Sequence, residues 1–302
     1  MHELELITTG ESTQIISDHL LELGALAITW RDAEDNPIFE PPPESLILWP
    51  SIKLSALFAT DAGLDEILLQ IYAKFGDAIL EARKVAVEDQ DWVRETQRQF
   101  HPMCFGERLW IYPSWEPAPE NDDVKILLDP GLAFGTGTHP TTGLILTWLA
   151  KNPPTNKKVL DYGCGSGILA IAAAKLGASK VWCTDIDPQA LLASRENAER
   201  NNISDTQLLT CFPEELSADL KIDVLLANIL AEPLCQLAPQ FKHFLHAESY
   251  VVLSGILTTQ IPEITAVYEQ DFVPKEIHIE ADWACMVWKV KPNNPTSPII
   301  PN

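Results

Sequence analysis

The chain has 302 residues, enough for one large domain or two modest ones with cores of their own. Its formal net charge of −22 argues against a broad phosphate-binding surface, which wants Lys and Arg, and suits a basic partner. No apolar run reaches membrane-spanning length, and MHELELITTG lacks the basic and apolar regions of a signal peptide, so a cytoplasmic protein without membrane contact is expected.

In chain order, HELELIT alternates like a strand, GESTQIISDHLLELG reads as an amphipathic helix closed by Gly24, and ALAITWRD is a strand. A Pro-rich loop, NPIFEPPPESLILWP, separates these from the strand SIKLSALFAT, the helix GLDEILLQIYAKFG and the strand AILEARKVAVE. The order β-α-β-β-α-β over residues 1–88 is that of a small ferredoxin-like α/β domain. DQDWVRETQRQF is polar and helical and marks residues 89–104 as a linker. Two strand-like runs, ERLWIYPSW and VKILLDPG, open a second domain over 105–292, and HPTTGLILTWLAK follows as a helix.

From Lys158 onward, KVLDYG, KVWCTD, TQLLTCF, IDVLLAN and SYVVLSG alternate with helical patterns. That alternation calls for a mostly parallel sheet covered on both faces, a Rossmann-like α/β architecture. FVPKEIHIE and WACMVWKV are consecutive strands, so one is expected to run antiparallel at the sheet edge. His243 and His246 have helical spacing with no Cys or carboxylate cluster beside them and read as a surface helix face. The six cysteines contain no C-x-x-C pair and read as reduced, mostly buried thiols, not zinc ligands. The tail over 293–302 reads as disordered.

The stretch VLDYGCGSGILAIAAAKLGA carries the chemistry. A buried strand ends in Asp161, Gly163, Gly165 and Gly167 make a turn, and an alanine-rich helix runs to Gly177. Glycines let the chain turn sharply and let a ligand approach the backbone. Open α/β sheets bind ligands beyond the carboxyl ends of their strands. The dinucleotide fingerprint fails at Ile168, and G-K-[ST] is absent both here and in GLAFGTGTHPTTG. Asp161 is a poor neighbour for a pyrophosphate and a tolerable one for a cofactor carrying ammonium and sulfonium groups, as S-adenosyl-L-methionine does. In TDIDPQALLASRENAERN, Asp187 precedes Pro188 and is explained as a helix N-cap. Asp185 is then free at its strand end to accept from both hydroxyls of a ribose.

DYGCGSG followed by DID resembles motifs I and II of class I S-adenosylmethionine-dependent methyltransferases. LDPGLAFGTGTHPTT, VLDYGCGSGILAIAAAKLGA, TDIDPQALLASRENAERN, ANILAEPL and LSGIL, in that order, resemble the successive blocks of one narrower family. It is the bacterial family that methylates protein eleven of the large ribosomal subunit, and the resemblance spans nearly the whole chain. It implies an N-terminal domain that recognises the substrate protein. It also implies a C-terminal domain that trimethylates amines, namely lysine side chains and the N-terminal α-amine. Four positions match family cofactor contacts: Thr142, Gly163, Asp185 and Asn228, with Gly165 a further contact in the same loop. Asn228 is followed by Ile-Leu-Ala, not by the prolines and aromatic of many amine methyltransferases, and is the candidate to orient the amine. His139 is a candidate base, though His-Pro at a helix start is more often structural, and Phe134 is a candidate wall of a loop that closes the site. Two rival readings are a methyltransferase acting on RNA or a small molecule, and a non-catalytic nucleotide-binding regulatory protein. A dinucleotide oxidoreductase is disfavoured by Asp161 and Ile168.

Overall fold

The computed structural model describes residues 1–34, 49–60, 62–86, 100–130, 135 and 137–291. Most of the Pro-rich loop, nearly all of the linker helix, Phe134 and the tail lie outside the described residues. The chain divides into two compact units, Met1–Glu95 and Thr96–Asn302.

In the first unit, β1 (His2–Thr9), α1 (Thr13–Glu22), β2 (Ala27–Asp32), β3 (Ser51–Phe58), α2 (Leu64–Phe75) and β4 (Ile79–Ala86) follow one another. The sheet has the order β2-β3-β1-β4 with every neighbour antiparallel, which is the split βαβ arrangement. The alternation in β1 sends Leu4 and Leu6 into the core beside Ile16 and Leu20 of α1 and Ile71 of α2. Glu5 lies on the other face of the sheet, where Lys53 of β3 pairs with it at 2.6 Å. Gly24, at φ +96°, ends α1 in the left-handed conformation that a side chain would strain.

In the second unit, β5 (Met103–Phe105), β6 (Leu109–Tyr112) and β7 (Val124–Leu127) form a small sheet, so Met103 and Cys104 belong to a strand and not to the linker. After α3 (Pro140–Lys151) come β8 (Lys158–Tyr162), α4 (Ile168–Lys175), β9 (Lys180–Thr184), α5 (Pro188–Arg200), β10 (Leu208–Cys211) and β11 (Ile222–Asn228). Then follow α6 (Ala231–Phe244), β12 (Leu245–Leu257), α7 (Ile261–Tyr268), β13 (Phe272–Glu280) and β14 (Trp283–Val290). Among the described residues these strands make a seven-stranded sheet of order β10-β9-β8-β11-β12-β14-β13. Successive strand residues feed opposite cores. Val224 and Leu226 pack with α3 and α4 through Ile145, Leu149 and Ile171. Leu225 and Ala227 pack with α6 and α7 through Phe241 and Tyr268. Burial on both faces explains why these strands are apolar almost throughout.

Two expectations change. The antiparallel strand is β14, but it sits one place in from the edge, paired to β12 and β13, and β13 takes the edge. His243 and His246 do not share a helix face: α6 ends at Phe244, Leu245 turns inward to start β12, and the His246 ring meets Asp223 at 3.0 Å.

The chain builds outward from β8 through β9 to β10, then returns to place β11 on the other side of β8. That reversal is the topological switch point, where the loops after β8 and β11 part and leave a crevice.

Candidate active site

The residues singled out by sequence gather at the carboxyl ends of β8, β9 and β11. Gly163 and Cys164 both donate their amides to the Thr184 carbonyl, at 2.8 and 3.0 Å, which folds the loop over the end of β9. Gly163, Gly165 and Gly167 all have positive φ, at +77°, +54° and +78°. At Gly163 a Cβ would lie 2.4 Å from Ile229, and at Gly167 one would lie 3.0 Å from the Ser194 Cα, so here the glycines answer to space as well as to conformation.

Asp185 is not free. Its Oδ2 accepts from the Gly165 amide at 3.0 Å and its Oδ1 from the Asp187 amide at 3.0 Å. Each oxygen keeps a further lone pair, so the carboxylate can still accept from a diol. Asp187 caps α5 through the Gln189 amide at 2.8 Å, with Pro188 at the first helical position.

The second pair is Thr142 and Asn228. Asn228 Nδ2 donates to Thr142 Oγ1 at 3.1 Å, tying the end of β11 to the first turn of α3. Thr142 is fully buried and Asn228 half-buried. Gly163 links the two pairs, because it bonds the residue before Asp185 and packs on the residue after Asn228. All five positions therefore lie in one contiguous cluster. His139 caps α3: its Nδ1 meets Thr141 Oγ1 at 2.8 Å, and burial pushes the imidazole below its ordinary range.

Asp161 does not face the crevice surface. It is fully buried, and its Oδ2 accepts from the Ala170 amide in the first turn of α4 at 3.0 Å. Its Oδ1 is buried without a partner. Burial, with the Asp185 charge adding to it, pushes its carboxyl up to about 7.

Several supporting residues have no motif of their own. Ser194 donates to the Gly165 carbonyl at 2.9 Å and Asn197 to the Ser166 carbonyl at 3.0 Å, so α5 holds the loop from behind. Ser166 donates to the Gly135 carbonyl at 2.5 Å, which attaches the segment before α3. Gly255, at φ +83°, stands where a Cβ would lie 2.3 Å from the Ile229 carbonyl. Polar residues spaced three apart on α5, and a glycine in an apolar strand, were the signals available in the sequence.

The side chains bonded to the loop are Asp185, Ser194 and Asn197, none of them cationic. A pyrophosphate would lack a counter-charge here. A nucleoside carrying positive charge fits: it meets the Asp185 carboxylate and a bare glycine backbone. Among the described residues, no group of three His, Cys, Asp or Glu could hold a metal ion, and no helix is long and apolar enough to cross a membrane.

A family model described as ribosomal protein L11 methyltransferase (PrmA) matches residues 1–291. The ribosomal protein L11 methyltransferase of Pseudomonas putida (strain W619) is 47% identical over 281 residues, covering 93% of this chain and 96% of its own length. That of Vibrio parahaemolyticus serotype O3:K6 is 48% identical over 283 residues, again covering 93% and 96%. The crystal structure of ribosomal protein L11 methylase from Lactobacillus delbrueckii subsp. bulgaricus has a TM-score of 0.57 at 38% identity, covering 64% of this chain and 100% of that one.

Proposed function

The chain belongs to the ribosomal protein L11 methyltransferase family, a premise from which we propose how its residues divide the work of methylating that protein. It is an enzyme, and its cofactor is S-adenosyl-L-methionine. The amines it modifies are lysine side chains and the N-terminal α-amine, each carried to the trimethyl state. When bound, the cofactor supplies a methyl group already activated by a sulfonium, so no strong catalytic base is needed to make it reactive.

The protein supplies position. Asp185 holds the ribose, and the backbone of Gly163 and Gly165 lets the nucleoside lie close. Ile186, 83% exposed directly after Asp185, offers an apolar surface for the base. Thr142 holds Asn228: because Asn228 Nδ2 donates to Thr142, its Oδ1 is the atom left to accept an amine N–H. That bond aims the nitrogen lone pair along the line of attack. An exposed lysine has a pKa of about 10.4, and partial burial near a positive charge favours the neutral amine that must attack.

Residues 1–88 recognise the substrate protein, 89–102 link the two domains, and the domain that opens with β5 carries out transfer. The net charge of −22 favours a basic ribosomal protein and disfavours nucleic acid and membrane as direct partners, in keeping with a cytoplasmic enzyme. The observation that carries this reading is the joining of Thr142 to Asn228 and of Gly165 to Asp185 at one switch point. To test it, the purified protein is incubated with labelled S-adenosyl-L-methionine and unmethylated large-subunit proteins, and intact masses are read. Shifts of up to three methyl groups per amine on protein L11 alone are the expected result. Label on RNA, or on no protein, would remove the substrate assignment.

A further inference from the structure

His139 and Trp283 stand beside the amine-orienting pair, and nothing above gives Trp283 a role. Their rings pack edge-to-face with centroids 4.9 Å apart. The His139 carbonyl accepts the Thr142 amide at 3.1 Å, and the Thr142 hydroxyl accepts from Asn228 at 3.1 Å. A second path closes the circuit through the sheet. Asn228 is the register partner of Ser254, and Ser254 Oγ donates to the carbonyl of Ala284, the residue after Trp283, at 3.2 Å. Two independent routes therefore tie a half-buried indole to the Asn228 amide. The insertion of β14 between β12 and β13 brings Trp283 there, at the carboxyl end of β12.

The chemistry of repeated methylation needs two different contacts. An unmethylated amine offers N–H groups to the Asn228 oxygen. Each round replaces one of them with a methyl and leaves positive charge on nitrogen, and the proton passes to water before the next round. As methyls accumulate, the group loses hydrogen-bond donors and gains a diffuse, apolar, cationic surface. A carboxylate or an amide cannot grip that surface directionally, but an indole face can.

We propose that the Trp283 indole, braced by the His139 ring, is the wall against which the partly methylated ammonium packs, and that it determines how far methylation proceeds. The proposal rests on the trimethylation reading above. Its test follows the product ladder on unmethylated protein L11 by intact mass for the wild type, Trp283→Phe and Trp283→Leu. A second readout is the affinity of each protein, with S-adenosylhomocysteine present, for a lysine peptide and for its trimethyllysine counterpart.

Wild type is expected to run to three methyls and to prefer the trimethyllysine peptide. Trp283→Leu is expected to add the first methyl at near the wild-type rate, to slow about tenfold at later rounds, and to lose the peptide preference, with Trp283→Phe between the two. A Trp283→Leu ladder and peptide preference that match wild type would overturn the proposal alone. So would an equal loss at every round, or a Trp283→Leu that fails to fold beside a folded Trp283→Phe with the wild-type ladder, since each marks a merely structural indole. A wild-type ladder that stops at one methyl would overturn the trimethylation reading and the proposal with it.

Discussion

Replacing Asp161 by Asn tests the electrostatic account of the site most sharply. The carboxyl is fully buried and pushed up to about 7, against an ordinary 3.8 for aspartate. A carboxylic acid that keeps its proton longer in the folded state stabilises fully below its unfolded pKa, and that contribution is lost as pH rises through the folded one. The slope is about 1.4 kcal/mol per pH unit while the two states differ by one proton. Between pH 5 and pH 8 the wild type should therefore lose about 3 kcal/mol through this group. Asparagine is close to isosteric, keeps an oxygen for the Ala170 amide, and does not titrate. It buries an NH2 group where Oδ1 now lacks a partner, a cost of about 1–3 kcal/mol at every pH. Asp161→Asn should thus be less stable than wild type at pH 5 and equal or more stable at pH 8. Urea titrations of both proteins at four pH values between 5 and 8 give the gap directly, because all other groups cancel in the difference. A gap that moves by less than about 1 kcal/mol over that range would refute the protonated, buried state of Asp161.

Three further outcomes follow from the same geometry. Gly167→Ala forces a side chain into φ +78° and within 3.0 Å of the Ser194 backbone, and should cost about 2–4 kcal/mol in denaturant titration together with loss of cofactor affinity. Asp185→Ala should weaken S-adenosylhomocysteine binding by calorimetry at least tenfold, whereas Asp187→Ala should cost about 1 kcal/mol of stability through the lost cap and leave affinity within twofold. Asn228→Ala should lower kcat/KM about a hundredfold by removing the amine acceptor and stranding the Thr142 hydroxyl, with the larger part in kcat; a fall confined to KM would refute the orienting role.

The glycine turn and Asp187 were legible from local rules: spacing, a strand before, a proline after. Asp185 was legible as a position but not as a state, since its two amide bonds come from Gly165 and Asp187 folding around it. The place of β14 was not legible. Two consecutive alternating strands announce a hairpin, but not which of them pairs with the rest of the sheet. Nor was the end of α6, because His243 and His246 keep helical spacing across a boundary that no glycine marks and that is set by the burial of Leu245. Trp283 sits in no motif, and its contact with His139 exists only once β14 is inserted.

The glycine turn has its amides spoken for before any ligand arrives: Gly163 and Cys164 by Thr184, and Gly165 by Asp185. Binding then spends little on ordering this loop, which forms a preformed socket. A socket of that kind reads the nucleoside, and the spent donor carries the same nucleoside, less one methyl and one charge. Inhibition by S-adenosylhomocysteine is the expected consequence: turnover should follow the ratio of fresh to spent donor in the surrounding solution.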